Sequence, residues 1–478
     1  MKKMNTRNKL IKTLLVLFLY ANTSLIFAQD LSKEDSLSNE FNMVKNDVSL
    51  LKRIKITGYI QGQYQIVDSA GAKSYAGGDF PSGSDKRFAI RRGRLKASYI
   101  NTWSQYVIQL DATEKGVALK DAYIIFTEPW LKSFSIKTGV FDRPFGYEIA
   151  YSSSLRESPE RGRMSQILFP GERDCGASII FNPPKTSMYN FIKAEFGYFN
   201  GTGIASDFDE QKDLIGRVGI SKSTRNEKVK FGLGVSAYYG GWGQGTTTYY
   251  KSIENIQDTI YAFTKYSNGS VNLLSERNYK GVDAQFSFES PLGITTIRGE
   301  YIHGIQPGTS SSTASPGVRP TKSAATTISG TATGTVTVPT STGDTTISVS
   351  LPITGTAATS TTANAEMYSR NFSGAYFYLL QNIGASKHQL VLKYDIYDPN
   401  TDVKGTQINA AGVSSSYGKL SSADVKYTTI GIGWIYHLDE NIKITAYYDM
   451  VKNEKTKISG YTKDIKDNVF TIRVQYKF

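Results

Sequence analysis

The dominant signal along this chain is strict alternation of apolar and polar positions. It is clearest at the C-terminus, where Phe470, Ile472, Val474, Tyr476 and Phe478 share one parity and Thr471, Arg473, Gln475 and Lys477 the other. The same alternation runs through 442–450 and 229–239. A period of two puts successive side chains on opposite faces of a strand. From Arg53 onward it predicts sixteen strands: 54–67, 87–100, 103–114, 119–128, 133–142, 174–182, 190–200, 213–223, 229–241, 277–289, 293–304, 370–381, 387–398, 423–437, 441–452 and 467–478. Most are 10–14 residues long. Ordinary strands average about 5–6 residues, whereas a strand tilted through a bilayer needs about 9–11.

The links between these segments alternate in length. Asn101-Thr102, the five residues from Glu128 to Lys132, Ser290-Pro291-Leu292 and Leu438-Asp439-Glu440 are short, and most of the intervening links are long. Short turns on one side and long loops on the other is the layout of a bacterial outer-membrane barrel. In hydrocarbon every backbone N–H and C=O must find a partner within the protein, and a closed sheet is the only way strands achieve this. The expected fold is therefore all-β: a 16-stranded antiparallel transmembrane β-barrel over 54–478, in contact with outer-membrane lipid, with both termini on the periplasmic side. Trp103, Trp130, Trp434 and Tyr448, near strand ends, suit an interfacial aromatic girdle.

Before the strands the pattern differs. Residues 1–28 combine five bases, an apolar core from Leu14 to Tyr20 and a small residue at Ala28, which predicts a cleaved export signal. Within 29–53, Leu37, Phe41, Val44, Val48 and Leu51 are spaced 4, 3, 4, 3. That is an a/d seam two heptads long, and it predicts a short periplasmic helix that either self-associates as a coiled coil or lies against the rest of the protein. Residues 308–365 are a low-complexity insertion in a long external loop. They hold eighteen Thr, no aromatic residue and three charges, Arg319, Lys322 and Asp344. Alternation at 335–338 and 347–351 favours a hairpin there over a flexible loop.

Composition narrows the chemistry. The 478 residues contain one Cys and three His, so zinc clusters and dithiol chemistry are excluded and no metal or cofactor is expected. His303, His388 and His437 fall near strand ends without a catalytic motif around them, and no enzymatic activity is expected. The formal charge is +13; without the five bases of the signal, 50 basic and 42 acidic residues leave +8. On charge alone, that surplus suits an anion-handling protein or a nucleic-acid binder.

Strand 87–100 is the most informative element. It carries Arg87, Arg91, Arg92, Arg94 and Lys96 and no acid. Phe88 and Ile90 have one parity and Leu95, Ala97 and Tyr99 the other, so the phase slips and a bulge is predicted near Arg91–Gly93. Beyond it Arg92, Arg94, Lys96 and Ser98 face the lumen, because an arginine on the lipid face near mid-membrane costs roughly 2–4 kcal/mol. Parity also turns Lys137, Arg217, Arg298 and Arg473 inward, with the acids Asp111, Asp121, Glu195, Asp283, Glu300 and Asp449. Pro144-Phe145-Gly146 ends the fifth strand. Pro stops ladder pairing and Gly permits a sharp bend, which predicts a loop sent into the lumen.

Four stretches then carry a resemblance: Arg91-Arg92-Gly93-Arg94-Leu95, Lys120-Asp121-Ala122-Tyr123, Gly139-Val140-Phe141-Asp142-Arg143-Pro144-Phe145-Gly146 and Phe169-Pro170-Gly171-Glu172-Arg173-Asp174-Cys175-Gly176. In order and spacing the chain resembles the phosphate-selective porin O and P family over some 95 residues. The resemblance implies a homotrimeric outer-membrane porin whose third long loop, here 143–173, folds inward and whose basic side chains pass phosphate or polyphosphate. That loop holds Arg143, Arg156, Arg161, Arg163 and Arg173 beside Glu148, Glu157, Glu160 and Glu172, a net of only +1. The function expected is passive diffusion of small anions, with no nucleic-acid partner. The alternatives are a non-selective porin for small nutrients and a barrel scaffold that binds a surface partner.

Overall fold

The structure, a computed structural model, describes residues 36–270, 273–340 and 343–478. The export signal expected over 1–28 lies outside them. The chain divides into two compact units, 1–53 and 54–478. Within the first, a helix runs over Ser36–Leu51.

The second unit is a closed barrel. Its strands, with the accessory ones in sequence, are β1 (Ile54–Val67), β2 (Lys86–Ile100), β3 (Ser104–Thr113), β4 (Gly116–Thr127), β5 (Phe134–Asp142), β6 (Arg173–Phe181), β7 (Ile192–Phe199), β8 (Asp213–Ser223) and β9 (Val229–Gly243). Next come β10 (Thr248–Gln257), β11 (Ile260–Ser267), β12 (Leu274–Ser290), β13 (Gly293–Gly308), β14 (Thr321–Thr340), β15 (Gly343–Asn364) and β16 (Met367–Asn382). The last are β17 (His388–Asp398), β18 (Tyr417–Gly418), β19 (Tyr427–His437), β20 (Ile442–Asn453) and β21 (Val469–Lys477). Sixteen form the wall, each antiparallel to the next: β1 to β9, then β12, β13, β16, β17, β19, β20 and β21. The ring closes between β21 and β1, from Tyr59↔Lys477 to Val67↔Val469. Gly58 and Phe478 extend this seam by exchanging backbone hydrogen bonds of 3.0 Å in both directions.

Every wall strand overlaps an expected one, and the differences are local. β4 begins at Gly116 rather than 119, because Gly116 adopts a left-handed φ of 124° and makes the link from β3 a tight turn. β12 and β13 run beyond the expected bounds at their external ends, and there β10 and β11 fold as a separate hairpin. Its sequence, TYYKSIENIQ in β10, has no clean alternation, so no strand was expected in it. β10 touches β16 at Tyr249↔Met367 and Tyr250↔Tyr368, and β11 touches β18. The Thr-rich insertion is one long hairpin of β14 and β15, which forms a sheet of its own.

The two parities divide as bilayer physics requires. Phe88, Ile90 and Leu95 of β2, Val282 of β12 and Ile432 of β19 are exposed, while the alternate positions are buried in the lumen. The predicted slip in β2 is real. Gln61 pairs with Arg92 and Gly62 with Ile90, so Arg91 is the bulged residue.

The lumen also has an apolar core. Phe145, Ile149, Met164, Ile167, Leu168 and Phe169 of the 143–172 loop pack on Tyr238, Tyr279, Phe372, Tyr376, Tyr378 and Tyr447 of the wall. Phe145 lies 5.1 Å from Phe169 and 6.2 Å from Tyr279, ring centre to ring centre. Burying such surface, at about 25 cal/mol per Å2, seats the loop against β9, β12, β16 and β20 and holds it inside the barrel.

Candidate functional site

The loop between β5 and β6 leaves the wall at Pro144-Phe145-Gly146. Gly146 has φ 62°, and a Cβ there would strike the Glu300 carboxylate. That carboxylate instead accepts the backbone N–H groups of Tyr147 and Glu148, each at 3.1 Å, and the Tyr376 hydroxyl at 2.8 Å. Gly146 N–H itself donates to Ser236 Oγ at 2.9 Å. Four hydrogen bonds, to or among groups on three wall strands, thus fix the bend.

Across the lumen the loop meets the opposite wall. Glu160 is the anchor. It takes Arg91 Nε at 2.7 Å, Arg92 Nη2 at 2.8 Å and Arg473 Nη2 at 2.8 Å. Burial opposes its charge, but the three guanidinium groups outweigh burial and hold its carboxyl well below the usual carboxylate range. Lys443 Nζ donates to the backbone oxygens of Ser154 and Arg156 at 3.1 and 3.0 Å. Glu157 pairs with Arg298, whose guanidinium also lies 4.6 Å from the Tyr151 ring.

At the loop's other root a second cluster forms. Arg173 meets Asp121 at 2.8 Å, Asp142 at 2.9 Å and Glu172 at 3.0 Å. Lys120 and Arg161 also reach Glu172. Its carboxyl is likewise held well below the usual range, against the burial that would raise it. Arg161 additionally donates to the backbone oxygens of Glu148, Ile149 and Tyr151, so it shapes the loop. Arg143 pairs with Asp174 at 2.9 Å.

Most of the basic residues expected to line a pore are therefore charge-paired. Arg94 faces Asp111 at 3.2 Å, Lys137 faces Glu195 at 2.8 Å and Arg217 faces Asp283 at 2.6 Å. Lys96, half-buried on the inward face of β2, has no ion pair among the described residues. Arg163 sits between the rings of Tyr427 and Tyr75. Arg156 differs most. It is buried, and its Nε, Nη1 and Nη2 all lack a hydrogen-bond partner. Burial, with Arg161 and Arg92 nearby, pushes its pKa down to about 9.

Sequence reasoning missed the inward tyrosines. Tyr238, Tyr279, Tyr378 and Tyr447 occupy the parity read as polar. Their density on β9, β12, β16 and β20 was the available signal for a loop seat. It also missed Lys393 and Asp395, which with the expected inward Asp449 and with Glu160, Arg161 and Arg163 line a cavity of about 30 Å3, room for about one water molecule.

A closed 16-stranded barrel with an apolar exterior and a polar, loop-constricted lumen is the architecture of an outer-membrane porin, and it places the chain in a bacterial outer membrane. No family model and no curated protein matches the sequence. Among solved structures, an anion-selective porin from Comamonas acidovorans is similar at 10% identity with a TM-score of 0.48, covering 89% of this chain and 99% of that one. The outer membrane channel DcaP of Acinetobacter baumannii is similar at 12% identity and 0.47, covering 89% and 97%. The trimer form of OmpT, an outer membrane protein of Vibrio cholerae, gives 8% and 0.44, covering 89% and 99%.

Proposed function

We propose that the protein is a passive channel for small anions, with phosphate or polyphosphate as the solute class. The observation that carries this reading is Arg156. Its guanidinium is buried on the inward loop with no hydrogen bond to any nitrogen and, among the described residues, no ion pair. A buried cation left unpaired is costly, and burial, with Arg161 and Arg92 nearby, depresses its pKa. Its nitrogens are closed off from solvent, so it acts on a passing oxyanion through its uncompensated charge. Arg92 and Arg94, with Lys96 beyond them, extend the basic row along β2. Because Glu160 and Asp111 already pair with the two arginines, a passing anion meets moderate sites. Moderate sites suit conduction better than tight ones.

The test is a planar-bilayer recording in a KCl gradient. The expected reversal potential reports chloride over potassium, and added phosphate reduces the chloride current. Arg156→Ala weakens that block several-fold, and Arg92→Ala with Arg94→Ala weakens it further. Ion preference that stays the same in all these variants rejects the reading. The near-complete pairing of the other lumen arginines favours a second reading, a non-selective pore for small hydrophilic nutrients. In that case the unaltered channel shows no preference and no phosphate block.

A further inference from the structure

Above the inward loop, the external loops enclose a cavity of about 670 Å3. That volume lies in the range of small-molecule sites, roughly 300–1,000 Å3. Its wall includes Tyr75, Arg163, Tyr397, Tyr427, Tyr461 and Asp467. Two of these carry opposite charge and are more than nine-tenths buried: Arg163 is 8% exposed and Asp467 5%. They do not satisfy one another. Arg163 Nε and Asp467 Oδ1 are buried without a hydrogen-bond partner, and so is the Tyr397 hydroxyl. Among the described residues neither charge belongs to an ion pair. Yet they lie close enough for Arg163 to act electrostatically on Asp467.

The rings explain why the gap stays open. The Arg163 guanidinium carbon is 3.6 Å from the centre of the Tyr427 ring and 4.4 Å from that of Tyr75. Both contacts lie within cation–π distance of the ion. They hold the group in place without giving it an anionic partner. Arg163 and Asp467 therefore line one space without pairing with each other, each at the cost of a buried unpaired charge.

We infer that this cavity captures a zwitterion, a free amino acid or short peptide whose carboxylate meets the edge of Arg163 and whose ammonium meets Asp467. Its side chain then lies against Ile167, Val425 and the tyrosine rings. Inorganic phosphate would satisfy Arg163 but would bring negative charge to Asp467 and leave the apolar wall unused. A neutral sugar would neutralise neither charge. The site goes beyond the anion channel proposed above, and it stands or falls independently of Arg156 and the β2 row.

The full-length protein in detergent is titrated calorimetrically with L-alanyl-L-phenylalanine, its N-acetyl form, its C-terminal amide and inorganic phosphate. The free dipeptide is expected to bind, and each blocked form about tenfold or more weakly, because each loses one charge-assisted hydrogen bond. Arg163→Gln should remove the difference between acid and amide. Asp467→Asn should remove the difference between free and acetylated N-terminus. Equal binding of the free and blocked forms overturns the proposal. So does a dipeptide that gives no heat at millimolar concentration, or phosphate displacing it. The ligand series on the unaltered protein decides the matter even if a variant fails to fold. Loss of phosphate block in the channel recording would leave this result untouched.

Discussion

Glu160 is the residue on which the constricted lumen turns. It gathers Arg91, Arg92 and Arg473 within 2.8 Å, from the β2 bulge and from β21. Replacing it with Gln leaves three guanidinium groups without their carboxylate, and breaking a buried pair in this way costs roughly 3–5 kcal/mol. We expect Glu160→Gln to free the loop from that wall, seen as higher and noisier single-channel conductance at pH 7. An unchanged trace would show that the apolar seat alone holds the loop. The pH dependence follows from the same geometry. The folded carboxyl titrates well below its ordinary value of 4.5, so its stabilisation is complete above about pH 4.5 and is lost as pH falls through the lower folded value. Conductance of the unaltered channel should therefore hold steady from pH 7 to about pH 5 and take on the Glu160→Gln behaviour only in stronger acid. At this scale the sequence was informative about direction but not about pairing. Parity turned Arg92, Arg94 and Arg473 inward, because a charge facing lipid is expensive. It could not show that Glu160, a loop residue outside any periodic segment, would neutralise two of them.

Among the elements, the inward loop and the external hairpin make a useful contrast. The loop is bound to the wall at every stage, beginning with Gly146. An alanine there must hold a left-handed φ, at about 1–2 kcal/mol, and its Cβ displaces the Glu300 carboxylate that receives Tyr147 and Glu148. Gly146→Ala should therefore lower the temperature at which the barrel loses its compact gel mobility and broaden the conductance distribution. The hairpin of β14 and β15 pairs only with itself. Joining Lys322 directly to Ala363 should leave both readouts within error of the full chain, and a drop in the gel midpoint would reveal contacts the pairing does not show. The strands themselves were legible because a bilayer enforces period two over their whole length. The β2 bulge was legible for the same reason, as a break in that period. The β10–β11 hairpin was not, since its register shifts at Lys251/Ile253 and Asn255/Gln257 break the alternation although Phe263 and Ile253 pack on an apolar cluster. The loop seat was missed because Tyr238, Tyr279, Tyr378 and Tyr447 fall on the inward parity among polar residues and yet pack as aromatics.

At the scale of the whole molecule, the open question is how many copies assemble. The helix Ser36–Leu51 bears Val44, Val48 and Leu51 at heptad spacing, and in the single chain they are 59%, 42% and 64% exposed. Sixteen residues make a helix only marginally stable alone in water. A seam of this kind becomes favourable when the chains are already held near one another, since tethering raises the effective concentration to about the millimolar range. Barrels confined to one membrane and packed side by side would supply that proximity. The heptads would then reinforce an assembly they are too short to create. Three copies is the number implied by the resemblance to the phosphate-selective porins. The expected outcome is a trimer by native mass measurement of the full chain. Val44→Asp with Val48→Asp should shift the population toward smaller species on dilution, because a charge at an a or d position is driven into the seam. Each barrel should keep its compact gel mobility, since 54–478 forms a unit by itself. Aspartates that leave the copy number unchanged at every dilution would show that the seam faces something other than another copy of itself.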